Sequence, residues 1–237
     1  MKRFESKVVL VLGGNSGIGR AAAEAFAREG AKVVVAARRE AEGVAVVQAI
    51  QKAGGRAKFI RADVASEADV KAVVDGTVKE FGQLDVLINN AGIEGKMGPI
   101  GVLTAADFEE TFGVNVKGTW LAMKHALPHL VKTKGTIVNN GSVVGEVGFP
   151  DASIYSATKG AVHALTRAAA MSSTTPGVPT GTACFATART ASRPPKTRAA
   201  MSVSMGPGAT ALTRTPWEMN SIAAARVRAC TAPLVAE

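Results

Sequence analysis

Tyr155 and Lys159 are the residues whose types and spacing most clearly suggest acid–base chemistry. Tyr155 is the only tyrosine in the chain, and Lys159 follows it by four positions, which places phenol and ammonium on one face of a helix. A free phenol has a pKa of about 10, so keeping it ionised near neutral pH requires roughly 4 kcal/mol. A neighbouring ammonium in a cleft of low dielectric constant can supply part of that stabilisation. The pair is therefore predicted to exchange a proton with a substrate oxygen.

Two further polar residues support this prediction, because a Tyr-x-x-x-Lys spacing alone is common by chance. Ser142 stands at the end of a predicted strand just before the Tyr155 helix, where its hydroxyl can orient the same substrate oxygen. Asn115 lies in the interruption of a long predicted helix, where its side chain or a freed carbonyl could hold a water that relays protons to Lys159. The predicted catalytic residues are thus Asn115, Ser142, Tyr155 and Lys159.

A glycine-rich segment, GGNSGIG at positions 13–19, joins the first predicted strand to the first predicted helix. Without Cβ atoms the backbone can approach a phosphate closely, and a helix N-terminus offers free N–H groups. The segment therefore predicts a dinucleotide-binding turn, with a tight turn against a closely packed helix as the alternative. The predicted cofactor contacts here are Gly13, Asn15, Ser16, Gly17, Ile18 and Gly19.

The second predicted strand ends with Arg38 and Arg39, at the position where such folds meet the adenosine ribose. A carboxylate there would bind the 2′-hydroxyl of NAD, whereas a guanidinium suits the 2′-phosphate of NADP. The sequence therefore favours NADP(H) as cofactor, with NAD(H) as the second candidate. The alternative for the two side chains is that they are solvated arginines at the start of a helix.

The next two strand ends complete the predicted cofactor site. Asp63 and Val64 close the third strand, where Asp63 could accept a hydrogen bond from the adenine amino group or cap the following helix. Asn89-Asn90-Ala91-Gly92 ends the fourth strand at the carboxyl edge, where doubly wound sheets bind ligands. Small residues there let a flat cofactor approach. We expect Val64, Asn90, Ala91 and Gly92 to contact the cofactor, together with Tyr155 and Lys159.

The elements that must position these residues alternate regularly along the chain. Apolar strands are predicted at 7–12, 31–37, 56–64, 84–89 and 135–142. Helices are predicted at 20–30, 39–55, 66–82, 104–130 and 151–171, with Ser66 as an N-cap. This βαβ series predicts an α/β fold, a Rossmann-like doubly wound parallel sheet with helices on both faces.

Composition limits the classes of function. The chain has 237 residues, of which 47% are hydrophobic and 20% charged, as in globular proteins. Its net charge is +9, but seven basic and two acidic residues after Met171 supply more than half of that excess. No basic stripe is interleaved with aromatic residues, which argues against nucleic acid. The apolar run at 8–12 is too short for a signal peptide or a membrane span, so we expect a cytoplasmic protein. Neither the two cysteines nor the three histidines have metal-site spacing.

Residues 5–171 resemble the short-chain dehydrogenase/reductase family in the order and spacing of the glycine turn, Asp63, the 89–92 segment and the four predicted catalytic residues. The resemblance implies NAD(P)(H)-dependent interconversion of an alcohol and a ketone, with a small-molecule substrate. It implies Tyr155 as general acid/base, Ser142 as orienting residue, Lys159 as ribose ligand and Asn115 in a proton relay. It also implies a homotetramer or dimer. Leu12 departs from the threonine usual in the family.

Residues 172–237 depart from the family pattern far more. They hold seven of the ten prolines and no sustained apolar run. We therefore divide the chain into a catalytic Rossmann domain, 1–171, and an atypical C-terminal segment, 172–237. A shifted reading frame would produce such a composition, which resequencing would test; a divergent or partly disordered C-terminus is the alternative. The sequence predicts that the last two strands of the fold are absent. A catalytically impaired dinucleotide-binding protein is then the alternative function.

Overall fold

Parallel strands and their connecting helices make up most of the computed structural model, which describes residues 2–172, 184–190 and 202–205. The strands are β1 Val8–Leu12, β2 Lys32–Ala37, β3 Arg56–Arg61, β4 Val86–Asn89, β5 Thr136–Ser142, β6 Cys184–Thr190 and β7 Ser202–Met205. The helices are α1 Gly17–Arg28, α2 Glu40–Lys52, α3 Glu67–Phe81, α4 Ala105–Phe112, α5 Gly118–Thr133, α6 Val144–Val147 and α7 Ser153–Ser172. A short 3₁₀ helix spans Ile100–Val102.

The sheet has the order β3-β2-β1-β4-β5-β6-β7. Strands β1 to β6 pair in parallel, and β7 pairs antiparallel to β6. Strand β1 is buried at all five positions, as expected of a central strand covered by helices on both faces. One apolar cluster lies on the face of helices α3 and α5, and a second on the face of α1 and α2. The predicted α/β class and the five-stranded parallel arrangement are confirmed.

The described parts of the C-terminal segment correct one expectation. The sequence predicts no sixth or seventh strand, yet residues 184–190 pair along the whole of β5 and residues 202–205 pair with β6. The exposed edge of β5 would otherwise present unpaired N–H and C=O groups, which a further strand satisfies whatever its side chains. Residues 173–183, 191–201 and 206–237, which make up most of the proposed C-terminal segment, lie outside the described residues, and the division at residue 171 stays a prediction.

The interruption predicted around Asn115 is confirmed. Helix α4 ends at Phe112, and residues Gly113–Lys117 form a π-helical turn that leads into α5. A π turn frees backbone groups and often marks a functional position. The N-cap prediction is also confirmed, since the Ser66 side chain accepts a hydrogen bond from Asp69 N at the start of α3. No helix among the described residues is both long and apolar enough to cross a membrane.

Candidate active site

The glycine turn between β1 and α1 lies against the end of β4. Gly13 has φ +72°, and a Cβ there would stand 2.7 Å from the Ala91 backbone. A Cβ on Gly19 would stand 2.1 Å from the Gly13 carbonyl oxygen and 2.6 Å from Asn90 Nδ2. Asn90 Nδ2 donates to that same carbonyl at 3.0 Å. Glycine at 13 and 19 is therefore required for the turn, the helix and the 90–91 backbone to approach each other.

The outer side of the same turn is open. Gly17 has φ +52°, and no atom of the described residues lies within 4 Å of a Cβ built on it. Helix α1 begins there with no acidic residue in its first turn and no side-chain cap. Because no described residue crowds this position, the free N–H groups and the positive end of the helix dipole suit an anion such as a diphosphate. Ile18 is half exposed.

A groove of about 400 Å³ runs along the carboxyl ends of the strands from this turn. Ten of the predicted cofactor residues line it: Gly13, Asn15, Ser16, Arg38, Arg39, Asp63, Val64, Asn90, Ala91 and Gly92. Four lining residues were not predicted: Ala37, Ala62, Ile93 and Val114. Position at strand ends could have indicated the two alanines, whereas Val114 comes from the π turn, which only the fold brings to the groove.

The two arginines at the end of β2 have different surroundings. The Asn15 amide, oriented with its oxygen toward Arg39, accepts from Arg39 Nη2 at 2.9 Å and Nε at 3.1 Å. Arg39 also contacts Ser16 Oγ at 3.3 Å and Glu42 Oε1 at 3.3 Å. Arg38 is exposed and makes no ion pair within the described part of the chain. Arg39 therefore braces the glycine turn, and Arg38 offers an uncommitted guanidinium to the groove.

Asp63 lies at the edge of the groove, at the end of strand β3. Its Oδ1 accepts from Ala65 N at 3.0 Å, closing a local turn, and its carboxylate lines the groove. The cap of α3 is Ser66, so the helix-capping alternative for Asp63 is wrong. The adenine contact stays a prediction.

Ser142, Tyr155 and Lys159 come together beside the groove, next to Gly92, although none of the three lines it. The side chains of Ser142 and Tyr155 are hydrogen-bonded, and Ser142 is almost fully buried. Lys159 Nζ donates to the Asn140 carbonyl at 2.8 Å and lies 5.6 Å from the centroid of the Tyr155 ring. A Cβ on Gly92 would stand 3.8 Å from Lys159 Nζ, so the lysine adjoins the groove. The three side chains can thus hold a proton and a substrate oxygen together.

The protein environment moves the pKa of both ionisable groups. Burial raises the pKa of Tyr155 above its ordinary value, the Glu94 carboxylate adds to the rise, and the hydrogen bond with Ser142 opposes it. Burial lowers the pKa of Lys159 to about 8. The sequence argument expects the ammonium to lower the pKa of the phenol, whereas in the structure burial and Glu94 raise it and only the Ser142 hydrogen bond acts in the opposite direction. Glu94 is a residue that sequence reasoning missed.

Asn115 holds the loop after β4 rather than standing free. Its Oδ1 accepts from Ile93 N at 2.8 Å, and its Nδ2 donates to Ile93 O at 2.8 Å and to Thr158 Oγ1 at 3.0 Å. Its backbone carbonyl accepts from Thr119 Oγ1 at 2.8 Å. The side chain is thus fully engaged, so the carbonyl's second lone pair is the better candidate for a relay water. Thr158, also missed from sequence, donates to the Tyr155 carbonyl at 2.7 Å.

The glycine turn, the groove and the polar side chains of Ser142, Tyr155 and Lys159 together fit a dinucleotide. The open glycine turn suits the phosphates, the exposed Arg38 suits the adenosine ribose, and the Tyr155–Lys159 pair beside the groove suits a reacting ring. A doubly wound parallel sheet with such a site at its carboxyl edge defines a dinucleotide-binding protein of the Rossmann class. The chain belongs to the short-chain dehydrogenase family of NAD(P)-dependent oxidoreductases, because the model of that family matches residues 7–200. The match extends beyond residue 171, where the motif resemblance ends.

Similar proteins that are named dehydrogenases support the assignment to this family. The chain is 39% identical over 184 residues to a 3beta-hydroxysteroid dehydrogenase of Mediterraneibacter gnavus, covering 78% of this chain and 67% of the relative. It is 42% identical over 176 residues to the L-fucose dehydrogenase of Oryctolagus cuniculus, covering 74% and 61%. A crystal structure of NAD⁺-bound xylitol dehydrogenase superposes with a TM-score of 0.70 at 33% identity, covering 72% of this chain and 66% of that one. The chain thus spans roughly two thirds of their lengths.

Proposed function

We propose that this protein interconverts an alcohol and a ketone of a small molecule by hydride transfer, using a nicotinamide dinucleotide. The observation that carries the proposal is the meeting of Ser142, Tyr155 and Lys159 beside a groove that is lined by the glycine turn and by Gly92, which adjoins Lys159. The names of the relatives, which are dehydrogenases of a steroid, a sugar and a polyol, support a carbinol or carbonyl substrate.

In the proposed mechanism the protein holds the substrate oxygen and moves its proton. The Ser142 hydroxyl and the Tyr155 phenol both bind that oxygen, which their mutual hydrogen bond supports. In alcohol oxidation Tyr155 accepts the hydroxyl proton, and in ketone reduction it donates one. Lys159 stabilises the phenolate by its charge and binds the ribose. A nicotinamide held beside these residues would supply the hydride-transfer chemistry.

Asn115 contributes by holding the loop after strand β4 in place beside helix α7. Its two hydrogen bonds to the Ile93 backbone hold the loop beside Gly92, and its bond to Thr158 ties that loop to helix α7. We propose that its carbonyl also holds a water that passes protons between Lys159 and solvent.

The proposed activity is tested by screening secondary alcohols with NADP⁺ and NAD⁺, and ketones with NADPH and NADH. We expect turnover of at least one pair. Binding of a cofactor without any turnover would instead favour the alternative, a catalytically impaired dinucleotide-binding protein.

We propose NADP(H) as the preferred cofactor, with Arg38 as the residue that selects it. Its guanidinium is exposed at the ribose end of the groove and free of ion pairs within the described residues. Arg38→Ala is expected to weaken NADPH binding roughly tenfold or more, since a charge-assisted hydrogen bond to a phosphate is lost. NADH binding should stay within about twofold. Calorimetric titration measures both.

The matched control is Arg56→Ala, which removes an exposed arginine at the opposite end of strand β3. It should leave both affinities unchanged. Equal loss of NADPH and NADH binding in the Arg38 variant would contradict a phosphate-reading role.

A pH effect is expected from Glu94. Its carboxylate contributes to the raised pKa of Tyr155, so Glu94→Gln should lower that pKa. More of the phenol is then ionised at a given pH. The rising limb of alcohol oxidation, measured as kcat/KM against pH, should therefore move to lower pH. Glu109→Gln, an exposed carboxylate on α4, serves as the control and should leave the profile in place. A shift in the opposite direction would exclude Glu94 as the cause.

We also propose a homotetramer or homodimer and a cytoplasmic location. Exposed apolar side chains on α4 and α5, namely Phe108, Trp120 and Leu127, support an association surface. Sedimentation velocity and cell fractionation test the two proposals.

A further inference from the structure

Two loops at the carboxyl edge of the sheet border the candidate catalytic residues. The first loop, residues 93–103, comes shortly after strand β4 and includes the short 3₁₀ helix. The second loop, residues 143–152, contains helix α6. It begins directly after Ser142 and ends in front of helix α7, whose first turn carries Tyr155. The second loop therefore joins two residues that the proposed mechanism uses.

The two loops are held against each other and against the site. The Gly98 N–H of the first loop donates to the Asp151 carbonyl of the second at 2.8 Å. A Cβ on Gly145 would stand 2.6 Å from the backbone of helix α7, so helix α6 lies directly on that helix. The Glu94 carboxylate is close enough to Tyr155 to contribute to its raised pKa. Both loops therefore lie beside the position of a substrate oxygen.

Most of the exposed large apolar side chains in the described part of the chain belong to these two loops. Ile100 is 78% exposed and Val147 is 75% exposed. Six of the ten such side chains lie here, and we call them the apolar rim: Met97, Ile100, Val102, Val143, Val147 and Phe149. A concentration of exposed apolar side chains in one place marks a binding surface. Its position beside Ser142 and Tyr155 indicates that the substrate is what binds there.

The charged groups of the two loops are mainly acidic. The loops contain three acidic residues, Glu94, Glu146 and Asp151, and one basic residue, Lys96. Lys96 Nζ already lies 3.7 Å from Asp107 Oδ2. An anionic substrate would therefore meet repulsion, and the loops offer it no uncommitted cation.

A substrate with many hydroxyl groups also suits the apolar rim poorly. Apart from the weak thioether acceptor of Met97, the six side chains have no hydrogen-bonding group. A hydroxyl that leaves water to face them loses its hydrogen bonds without replacement. An apolar group gains instead, since each buried methylene strengthens binding about fourfold.

We propose that the substrate is a neutral and largely apolar secondary alcohol or ketone, whose carbon skeleton contacts the apolar rim. Sugars, polyols and anionic alcohols are then poor substrates. This inference rests on the proposed function, because it takes Ser142 and Tyr155 to hold the substrate oxygen.

The first test compares alcohols that are matched in carbon skeleton, each with NADP⁺ and with NAD⁺. Cyclohexanol and myo-inositol share one ring and differ by five hydroxyl groups. In 4-hydroxycyclohexanecarboxylate a carboxylate replaces the methyl group of 4-methylcyclohexanol. We expect kcat/KM to be at least about tenfold higher for the apolar member of each pair. The added methyl group should raise kcat/KM above that of cyclohexanol by about two- to fourfold.

The second test changes the apolar rim itself. Phe149→Asn should raise KM for 4-methylcyclohexanol about three- to tenfold and leave kcat within about twofold, because apolar contact with the substrate is lost. Phe149→Leu is the matched control, since leucine resembles asparagine in shape but is apolar; its KM should stay within about twofold. Val147→Asn repeats the test if Phe149→Asn does not fold, as judged by thermal unfolding.

A third variant tests the rejection of anions. Glu94→Gln should reduce the preference for 4-methylcyclohexanol over 4-hydroxycyclohexanecarboxylate about threefold or more, because one repelling charge is removed. Both substrates depend on the same Tyr155, so their ratio at a single pH is independent of any change in the pKa of that residue. An unchanged ratio would exclude Glu94 as a determinant of substrate charge.

The outcomes separate this inference from the proposed function. Preference for the apolar alcohols, together with a raised KM in Phe149→Asn alone, supports the inference. It would be overturned, with the proposed function left standing, if the best substrate among all alcohols oxidised were a sugar, a polyol or an anion. Equal KM values in Phe149→Asn and Phe149→Leu would overturn it as well. So would a changed oligomeric state of Phe149→Asn in sedimentation velocity with KM unaltered, which would make the apolar rim a contact between protein chains. Failure to turn over any alcohol or ketone would overturn the proposed function and the inference with it.

Discussion

Tyr155→Phe is expected to lower kcat for both alcohol oxidation and ketone reduction by between about a hundredfold and ten-thousandfold, the usual contribution of a positioned general acid–base group. The change removes one oxygen atom and leaves the ring, so the packing of helix α7 is preserved. The hydrogen bond to Ser142 is lost with it. The affinity for NADPH should stay within about twofold, because the phenol is not needed to hold the phosphates or the adenosine. Steady-state kinetics measures the change in kcat, and calorimetric titration measures the affinity for NADPH.

The control for this prediction is Ser156→Ala, one position along the same helix. Its hydroxyl is buried and has no hydrogen-bond partner within the described residues, so its loss should change kcat by no more than a small factor. An active Tyr155→Phe protein would contradict the proposed acid–base role of Tyr155. A variant that loses NADPH binding as severely as turnover would point to a structural role instead.

Gly19→Ala is expected to abolish most cofactor binding. The added Cβ would stand 2.1 Å from the Gly13 carbonyl oxygen and 2.6 Å from Asn90 Nδ2, distances that no packing adjustment of a flexible side chain can relieve, because the nearer atom is backbone. The glycine turn and helix α1 must move apart. We expect a loss of roughly a hundredfold in NADPH affinity, since the N–H groups that meet the phosphates are displaced. We also expect a loss of about 1–3 kcal/mol in the free energy of unfolding, as for an overpacked core.

Gly101→Ala provides the matched control. Gly101 lies in the short 3₁₀ helix, and within the part of the chain that the structure describes no atom stands within 4 Å of a Cβ built there. Its variant should bind NADPH normally and unfold within about 0.5 kcal/mol of the unaltered protein. Normal NADPH binding by Gly19→Ala would show that the turn does not hold the phosphates.

Much of the fold could be predicted because its signals are local. Strands of four to seven residues alternate with helices along the chain, and this alternation indicates a parallel sheet. Ser66 could be identified as an N-cap because capping depends on the residue three positions on. Strands β6 and β7 could not be predicted, since their side chains form no apolar pattern. Their pairing depends on the unpaired edge of β5, which is a property of the assembled sheet.

The sequence by itself determined the class of the protein. Three local features indicate the class: the glycines at 13–19, the Tyr155–Lys159 spacing and the polar residues at the strand ends. Each depends on a backbone conformation or a helical repeat that residues nearby in the sequence determine. Tertiary structure alone decided which polar groups meet. Asn115 bonds Ile93 and Thr158, Arg39 braces the glycine turn while Arg38 stays free, and Asn140 joins that turn to Lys159. These contacts join residues up to 77 positions apart. Only the packing of strand ends at one edge of the sheet brings such residues within hydrogen-bond distance.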